Sequence, residues 1–140
     1  MTKILPFENE TFDIVFHSVS NCYVEDVQHV FNEAYRVLKK GGIFLARLAG
    51  LNNEINYIVD DEEKEIIWKI PFNPLKDNAA REYMIKENCG MQFSHNITEQ
   101  IGGQLKSGFT LLDIYEDTNG FGRLHEMNIK TYIATKSVKL

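Results

Sequence analysis

From Phe12 to His17 the chain reads Phe-Asp-Ile-Val-Phe-His, apolar on both faces apart from Asp13 and preceded by the polar turn Glu8-Asn9-Glu10-Thr11. A short run this rich in β-branched and aromatic residues predicts a strand covered on both sides, as in a parallel sheet. Val27, Val30, Phe31, Ala34, Val37 and Leu38 then recur at helical spacing, with polar Gln28, Asn32, Glu33 and Arg36 between them. That pattern predicts an amphipathic helix. Asp26 stands where an N-cap belongs, while Lys39, Lys40 and Gly41-Gly42 supply a cationic last turn and a left-handed stop. Ile43 to Ala49 predicts a second strand. Strand, helix and strand with short links make a βαβ unit whose strands are parallel neighbours, so the fold class is α/β.

Residues 50–95 lose this rhythm. They carry the acidic run Asp60-Asp61-Glu62-Glu63, which reads as a solvated face, then Trp68, the segment Pro71-Phe72-Asn73-Pro74 and a helix near Asn78 to Asn88. Order returns at Asn96, which with Glu99 three residues later forms a capping-box pattern. Ile97, Ile101 and Leu105 mark one face of the helix that follows, ending at Gly108. Gly102-Gly103 inside it costs about 1 kcal/mol per glycine relative to Ala, which points to close packing of its backbone against a neighbour, the alternative being a simple weak spot. Phe109 to Glu116 and Ile129 to Thr135 predict two more strands, joined through loop chemistry at Asn119-Gly120-Phe121-Gly122. Four strands and two or three helices are expected, with an irregular middle.

Composition narrows the setting. At 140 residues and 44% hydrophobic, the chain suits one packed domain. Twenty acidic against fifteen basic residues leave a charge of -5, without the basic stripe that nucleic acid requires. No window approaches the roughly 18 to 20 apolar residues of a membrane span, and the opening Met-Thr-Lys-Ile-Leu-Pro lacks the apolar stretch of a secretory signal. A soluble, cytoplasmic protein with neither nucleic acid nor membrane as partner is expected. Cys22 and Cys89 form no CxxC pair and have no His at ligand spacing, so they read as reduced thiols and no metal site is expected.

Two stretches carry a resemblance. Leu5-Pro6-Phe7-Glu8-Asn9-Glu10-Thr11-Phe12-Asp13-Ile14-Val15, and then Glu33-Ala34-Tyr35-Arg36-Val37-Leu38-Lys39-Lys40-Gly41-Gly42, resemble in order and spacing two signatures of the class I S-adenosylmethionine-dependent methyltransferases. Lys40 departs from the usual Pro, while the Gly-Gly pair remains. The resemblance implies the C-terminal half of a Rossmann-like fold, a mostly parallel sheet of order 3-2-1-4-5-7-6 with an antiparallel last strand. This chain would supply strands four to seven as a single partial domain over residues 1–140. The glycine-rich cofactor loop and the acidic ribose partner of the family have no counterpart in it.

Ligands of doubly wound sheets lie beyond the carboxyl ends of the parallel strands. The resemblance therefore implies that His17, Ser18 and Val19 lie beside S-adenosyl-L-methionine, with Asn21, Cys22 and Tyr23 on the substrate side. The competing reading is that His17 merely ends a strand and Tyr23 packs on the next helix. No catalytic base is required, because the sulfonium is already activated and alignment does most of the work. Of the four histidines, His17 is better placed than His29, His95 or His125. Residues 50–95 fall where the family carries a substrate cap, with Tyr57, Trp68, Phe72 and Phe93 available to line a pocket for a small molecule.

Two functional expectations follow. In the first, the chain is the later part of a longer methyltransferase, starting at an internal methionine, and binds the cofactor weakly or not at all. In the second, it is a non-catalytic α/β association module. Without a preceding strand, the 12–17 strand has a bare apolar edge that invites a two-fold dimer.

Overall fold

A computed structural model of the chain describes residues 3–49, 71–88 and 90–140. The expected βαβ unit is present: β1 (Phe12–Ser18), α1 (Val27–Val37) and β2 (Leu38–Ala49), with β1 and β2 parallel. The helices α2 (Asn78–Lys86) and α3 (Ile97–Lys106) follow, then β3 (Phe109–Asp117), the short helix α4 (Gly122–Glu126) and β4 (Tyr132–Lys139). The sheet order is β1-β2-β4-β3, with β4 antiparallel to both neighbours. This is the 4-5-7-6 order that the resemblance implies, reversed last strand included.

Helix α1 begins where expected, with the Asp26 carboxylate accepting from the backbone of His29. It ends earlier. Leu38 is extended and fully buried, so Lys39, Lys40 and the glycine pair belong to β2 and not to a last helical turn. The cause is capture of the last carbonyls from elsewhere in the chain. Glu10 and Thr11 donate their backbone N–H groups to Arg36 and Val37, and the buried Lys139 ammonium donates to the carbonyls of Tyr35 and Leu38 at 3.0 and 2.7 Å. Carbonyls satisfied this way do not hold the chain in another turn. Residues 39–42 become a bulge opposite β1, with Gly41 at φ +75° and Lys39 paired to Asp13 at 2.9 Å.

The core lies on one side of the sheet, where Val27, Phe31 and Ala34 of α1 pack on Leu38, Phe44, Ala46 and Leu48 of β2 and on Phe109 of β3. Helix α3 has the expected capping box, yet its buried face is Gln100, Gly103 and Gln104. Ile97 and Leu105 are about half exposed, and only Ile101 reaches the core. Polar partners decide this orientation: Thr135 and Ser137 donate to Gln104 Oε1 at 3.2 and 2.9 Å, and Gln104 Nε2 donates to the Gln100 carbonyl. Strand β4 starts later and runs further than expected, and its helix-facing side is mostly polar: Thr135, Ser137 and Lys139 beside Ile133.

The expectation that β1 is covered on both faces is not met. Val15 and His17 face the helices, while Ile14 and Phe16 are 60% and 70% exposed on the opposite face. Ile43, Leu45, Arg47, Ala134 and Lys136 continue that open side by strand alternation and register.

The segment before β1 lies along α1. The Glu33 carboxylate accepts from the Leu5 backbone at 2.7 Å and from Arg36 Nε and Nη2 at 2.8 Å, while the same guanidinium donates to the carbonyls of Leu5 and Phe7. The hydrogen bonds from Arg36 hold the Glu33 carboxyl at about 2, well below its ordinary 4.5, with the Leu5 N–H and nearby positive charge adding to the effect. A carboxyl depressed by folding stabilises above its unfolded pKa, and that stability is lost as pH falls towards the folded value. Glu33→Gln should cost about 1 kcal/mol near neutral pH, a figure discounted for solvent beside Arg36. The difference from the parent chain should close between about pH 4.5 and 2. Urea midpoints across that range measure it, and a gap that stays constant would show that Glu33 is not the titrating group.

Candidate active site at the end of strand β1

The carboxyl end of β1 breaks sharply. Val19 takes φ +45°, unusual for a β-branched residue, and its N–H donates to the Arg47 carbonyl of β2 at 2.7 Å. The 3-10 turn Asn21–Tyr23 follows at once. Ser18 is thereby exposed, Ser20 half-buried and Tyr23 59% exposed, while Asn21 and Cys22 turn inward. The Cys22 sulfur lies 3.5 Å from the Val19 carbonyl oxygen.

His17 is buried, and its Nε2 lies 2.7 Å from Asn21 Oδ1. Because that oxygen only accepts, Nε2 carries the proton and Nδ1 keeps its lone pair. Ser20 Oγ stands 3.4 Å from Nδ1. Burial lowers the pKa of His17, against a raising contribution from the Asn21 bond, so the ring is neutral at pH 7. It also lies beside Phe44, ring centroids 6.1 Å apart.

A second layer holds the turn. His95 Nε2 faces the carbonyls of Asn21 and Val24 at 3.1 and 2.7 Å, and the Phe93 N–H donates to the Cys22 carbonyl at 2.7 Å. Asn21 Nδ2 donates to Gln100 Oε1 at 3.5 Å, and Gln100 Nε2 to the His95 carbonyl at 3.0 Å. Sequence reasoning placed His95 merely before a cap and missed this role. A polar residue just ahead of a capping box carries no signal for carbonyls about 70 positions away.

The structure thus brings together His17, Ser18, Val19, Asn21 and Cys22, with Tyr23 at the solvent side of the same turn. Phe72 and Phe93 are buried behind it, in the wall of a cleft of about 240 Å³ that includes Glu25, Asn73, His95 and Glu99. Tyr57, Trp68 and Cys89 lie outside the described residues. His29 and His125 stand apart: the first reaches the Lys3 carbonyl at 3.4 Å and the second meets Thr118 Oγ1 at 2.6 Å. Among the described residues no three His, Cys, Asp or Glu side chains gather as a metal site, and no helix is long and apolar enough to cross a membrane.

Residues 1–46 match the family model described as a methyltransferase domain. The whole chain aligns at 36% identity with the uncharacterized methyltransferase YbaJ of Bacillus subtilis, covering 56% of that protein. Its fold matches an S-adenosylmethionine-dependent methyltransferase from Mesorhizobium loti (TM-score 0.71, 15% identity, 96% of this chain and 65% of that one). A second match, from Listeria monocytogenes, has a TM-score of 0.66 at 15% identity, over 97% of this chain and 65% of that one. The chain has the fold of these S-adenosylmethionine-dependent methyltransferases. It spans a little over half the length of the Bacillus protein and about two thirds of the two solved ones.

The methyltransferase resemblance sets a test for the strand end. Ser18 and Ser20 offer hydroxyls, and a neutral His17 brings no positive charge against a sulfonium. These groups suit one side of the cofactor. The turn Ser18–Tyr23 contains neither a glycine nor a carboxylate, so it lacks the glycine that lets a backbone come close to the cofactor and the carboxylate that pairs with ribose hydroxyls. The described residues fit one wall of a cofactor site and do not enclose one.

Proposed function

We propose that the chain is the later part of a cytoplasmic, S-adenosylmethionine-dependent methyltransferase acting on a small molecule, and that by itself it binds the cofactor weakly. The observation that carries this reading is the parallel β1-β2 pair within the order β1-β2-β4-β3, with the ordered turn Ser18–Tyr23 at its carboxyl end. The cofactor supplies an activated methyl group when bound. The chain's own residues contribute shape and orientation: His17, Ser18 and Val19 form the cofactor wall, and Asn21, Cys22 and Tyr23 face the methyl acceptor. Asn21 and His95 keep the turn in one conformation. Phe93 and His95, bonded to the turn, support a substrate cap over residues 50–95.

Calorimetry separates the parts of this proposal. The 140-residue chain should give no saturable heat with S-adenosylmethionine in the micromolar range, and micromolar binding would overturn the claim of a one-walled site. A chimera joining the chain to the portion of the Bacillus relative that it does not cover should bind at micromolar concentration. A folded chimera that ignores the cofactor would overturn the methyltransferase reading itself.

The edge of β1, which no strand pairs among the described residues, favours a second reading, in which the chain acts by association with another copy through that strand.

A further inference from the structure

We infer that Gln100 is a positioning residue: through the Asn21 amide it fixes which nitrogen of His17 carries the proton, and so which way the Ser20 hydroxyl points. This rests on the reading of the Ser18–Tyr23 turn as a ligand wall and deepens it by assigning the polarity of one group there. Gln100 lies on α3, 79 positions from Asn21, and is 2% exposed. An amide buried that deeply is costly unless its oxygen and its nitrogen both find partners. Here both do, and the partners set its orientation.

The bond directions follow one from another. The His95 carbonyl only accepts, so the Gln100 atom 3.0 Å from it is the amide nitrogen. Gln100 therefore turns its oxygen to Asn21, and the Asn21 atom facing that oxygen at 3.5 Å is the nitrogen. Asn21 in turn shows its own oxygen to His17, 2.7 Å from Nε2, which must then carry the proton. Nδ1 is left with a lone pair. His17 is buried, and a buried lone pair needs a donor. Among the described residues the hydrogen-bond partner at hand is Ser20 Oγ, 3.4 Å from Nδ1 and 3.3 Å from Nε2, and of the two nitrogens only Nδ1 can accept its proton. The orientation of a glutamine amide in α3 is thus passed through two side chains to a hydroxyl on the turn.

That orientation has a chemical consequence. With its proton committed to Nδ1, the half-buried Ser20 offers a ligand its oxygen lone pairs. The group that fits against it is an N–H or O–H donor, whereas a carbonyl or ether oxygen would meet lone pairs alone. The opposite amide orientation reverses this. Asn21 Nδ2 would then donate to Nε2, Nδ1 would carry the proton and hold the Ser20 oxygen, and the hydroxyl could donate outward. An apolar residue at position 100 would fill the space and leave both orientations open.

Long-range proton–nitrogen NMR spectra of the imidazole rings read the tautomer directly. At neutral pH the 140-residue chain should show His17 with Nε2 protonated and Nδ1 not. Gln100→Met should let the Asn21 amide turn over, so that a second set of His17 signals with the proton on Nδ1 appears while the far-UV circular dichroism is unchanged. Gln100→Glu should restore the single set, since desolvation at this depth keeps the carboxyl neutral: one oxygen accepts from Asn21 and the O–H donates to the His95 carbonyl. Ser20→Ala should keep the tautomer and move only the Nδ1 signal, towards that of a lone pair without a hydrogen bond. A parent chain with the proton on Nδ1, a folded Gln100→Met chain that keeps a single Nε2–H tautomer, or an Nδ1 signal unmoved by Ser20→Ala overturns the inference. Should Gln100→Met fail to fold, the Asn21 side-chain amide protons of the parent decide: nuclear Overhauser contacts should place them beside Gln100, and contacts to the His17 ring in their place overturn the inference. None of these measurements involves S-adenosylmethionine, so a failure here leaves the calorimetric proposal standing, and a chimera that ignored the cofactor would leave the tautomer as measured.

Discussion

Phe44→Ala should remove about 3–5 kcal/mol of folding stability, most of what a domain of this size has. Phe44 has no exposed surface. Its ring stacks on Phe109 at 5.0 Å and 19°, meets Phe31 nearly edge-on at 6.1 Å, and lies beside His17. It therefore links β2, β3, α1 and the end of β1 at one point. Ala would leave a void that its neighbours cannot fill, because Phe31 and Phe109 are anchored on separate elements. The loss weighs more here because the described residues form a core on one face of the sheet only. Urea unfolding followed by circular dichroism should show a much lower midpoint or no cooperative transition. A loss below about 1 kcal/mol would mean that the aromatic stack is not packed in solution.

Much of this architecture is legible in the sequence, and the failures share a cause. The βαβ unit follows from local periodicity at residues 12–49. The strand order follows from the resemblance carried by Leu5 to Val15 and Glu33 to Gly42. What the periodicity misjudged was set by partners distant in the chain. Helix α1 stops at Val37 because Glu10, Thr11 and Lys139 take its last carbonyls. Helix α3 buries two glutamines in place of Ile97 and Leu105 because β4 presents hydroxyls to it. Strand β4 hides Thr135, Ser137 and Lys139, residues that a hydrophobicity pattern assigns to solvent.

The candidate site divides the same way. The resemblance points to His17, Ser18 and Val19, and the structure sets the three together at the carboxyl end of β1. The Asn21 bond that fixes which His17 nitrogen carries the proton is local enough to suspect from a spacing of four. The His95 clamp on Asn21 and Val24 crosses some 70 residues and leaves no trace in composition or period. The open face of the sheet was also hidden, because Ile14 and Phe16 look like core residues in any reading of hydrophobicity alone.

The glycine pair in α3 yields a prediction of opposite signs at adjacent positions. A Cβ on Gly103 would lie 2.8 and 2.9 Å from ring carbons of Phe31, closer than side chains tolerate. Phe31 cannot swing aside: it is fully buried and its ring is held edge-on against Phe44. The Gly103 carbonyl also accepts from Gln28 Nε2 at 3.1 Å, so separating the helices would cost that bond as well. Gly103→Ala should therefore destabilise by about 2 kcal/mol, the overpacking penalty exceeding the helix propensity that Ala adds. At Gly102 the nearest atom to a new Cβ is the Thr98 methyl at 3.8 Å, an ordinary contact. Gly102→Ala should stabilise by about 0.5–1 kcal/mol through propensity alone. Urea midpoints of the two variants should fall on opposite sides of the parent. If both rise, α1 and α3 are not in the close contact that Gly103 permits, and the aromatic core beneath them is looser than its geometry implies. If both fall, the cost at Gly102 arises in a neighbour other than Thr98.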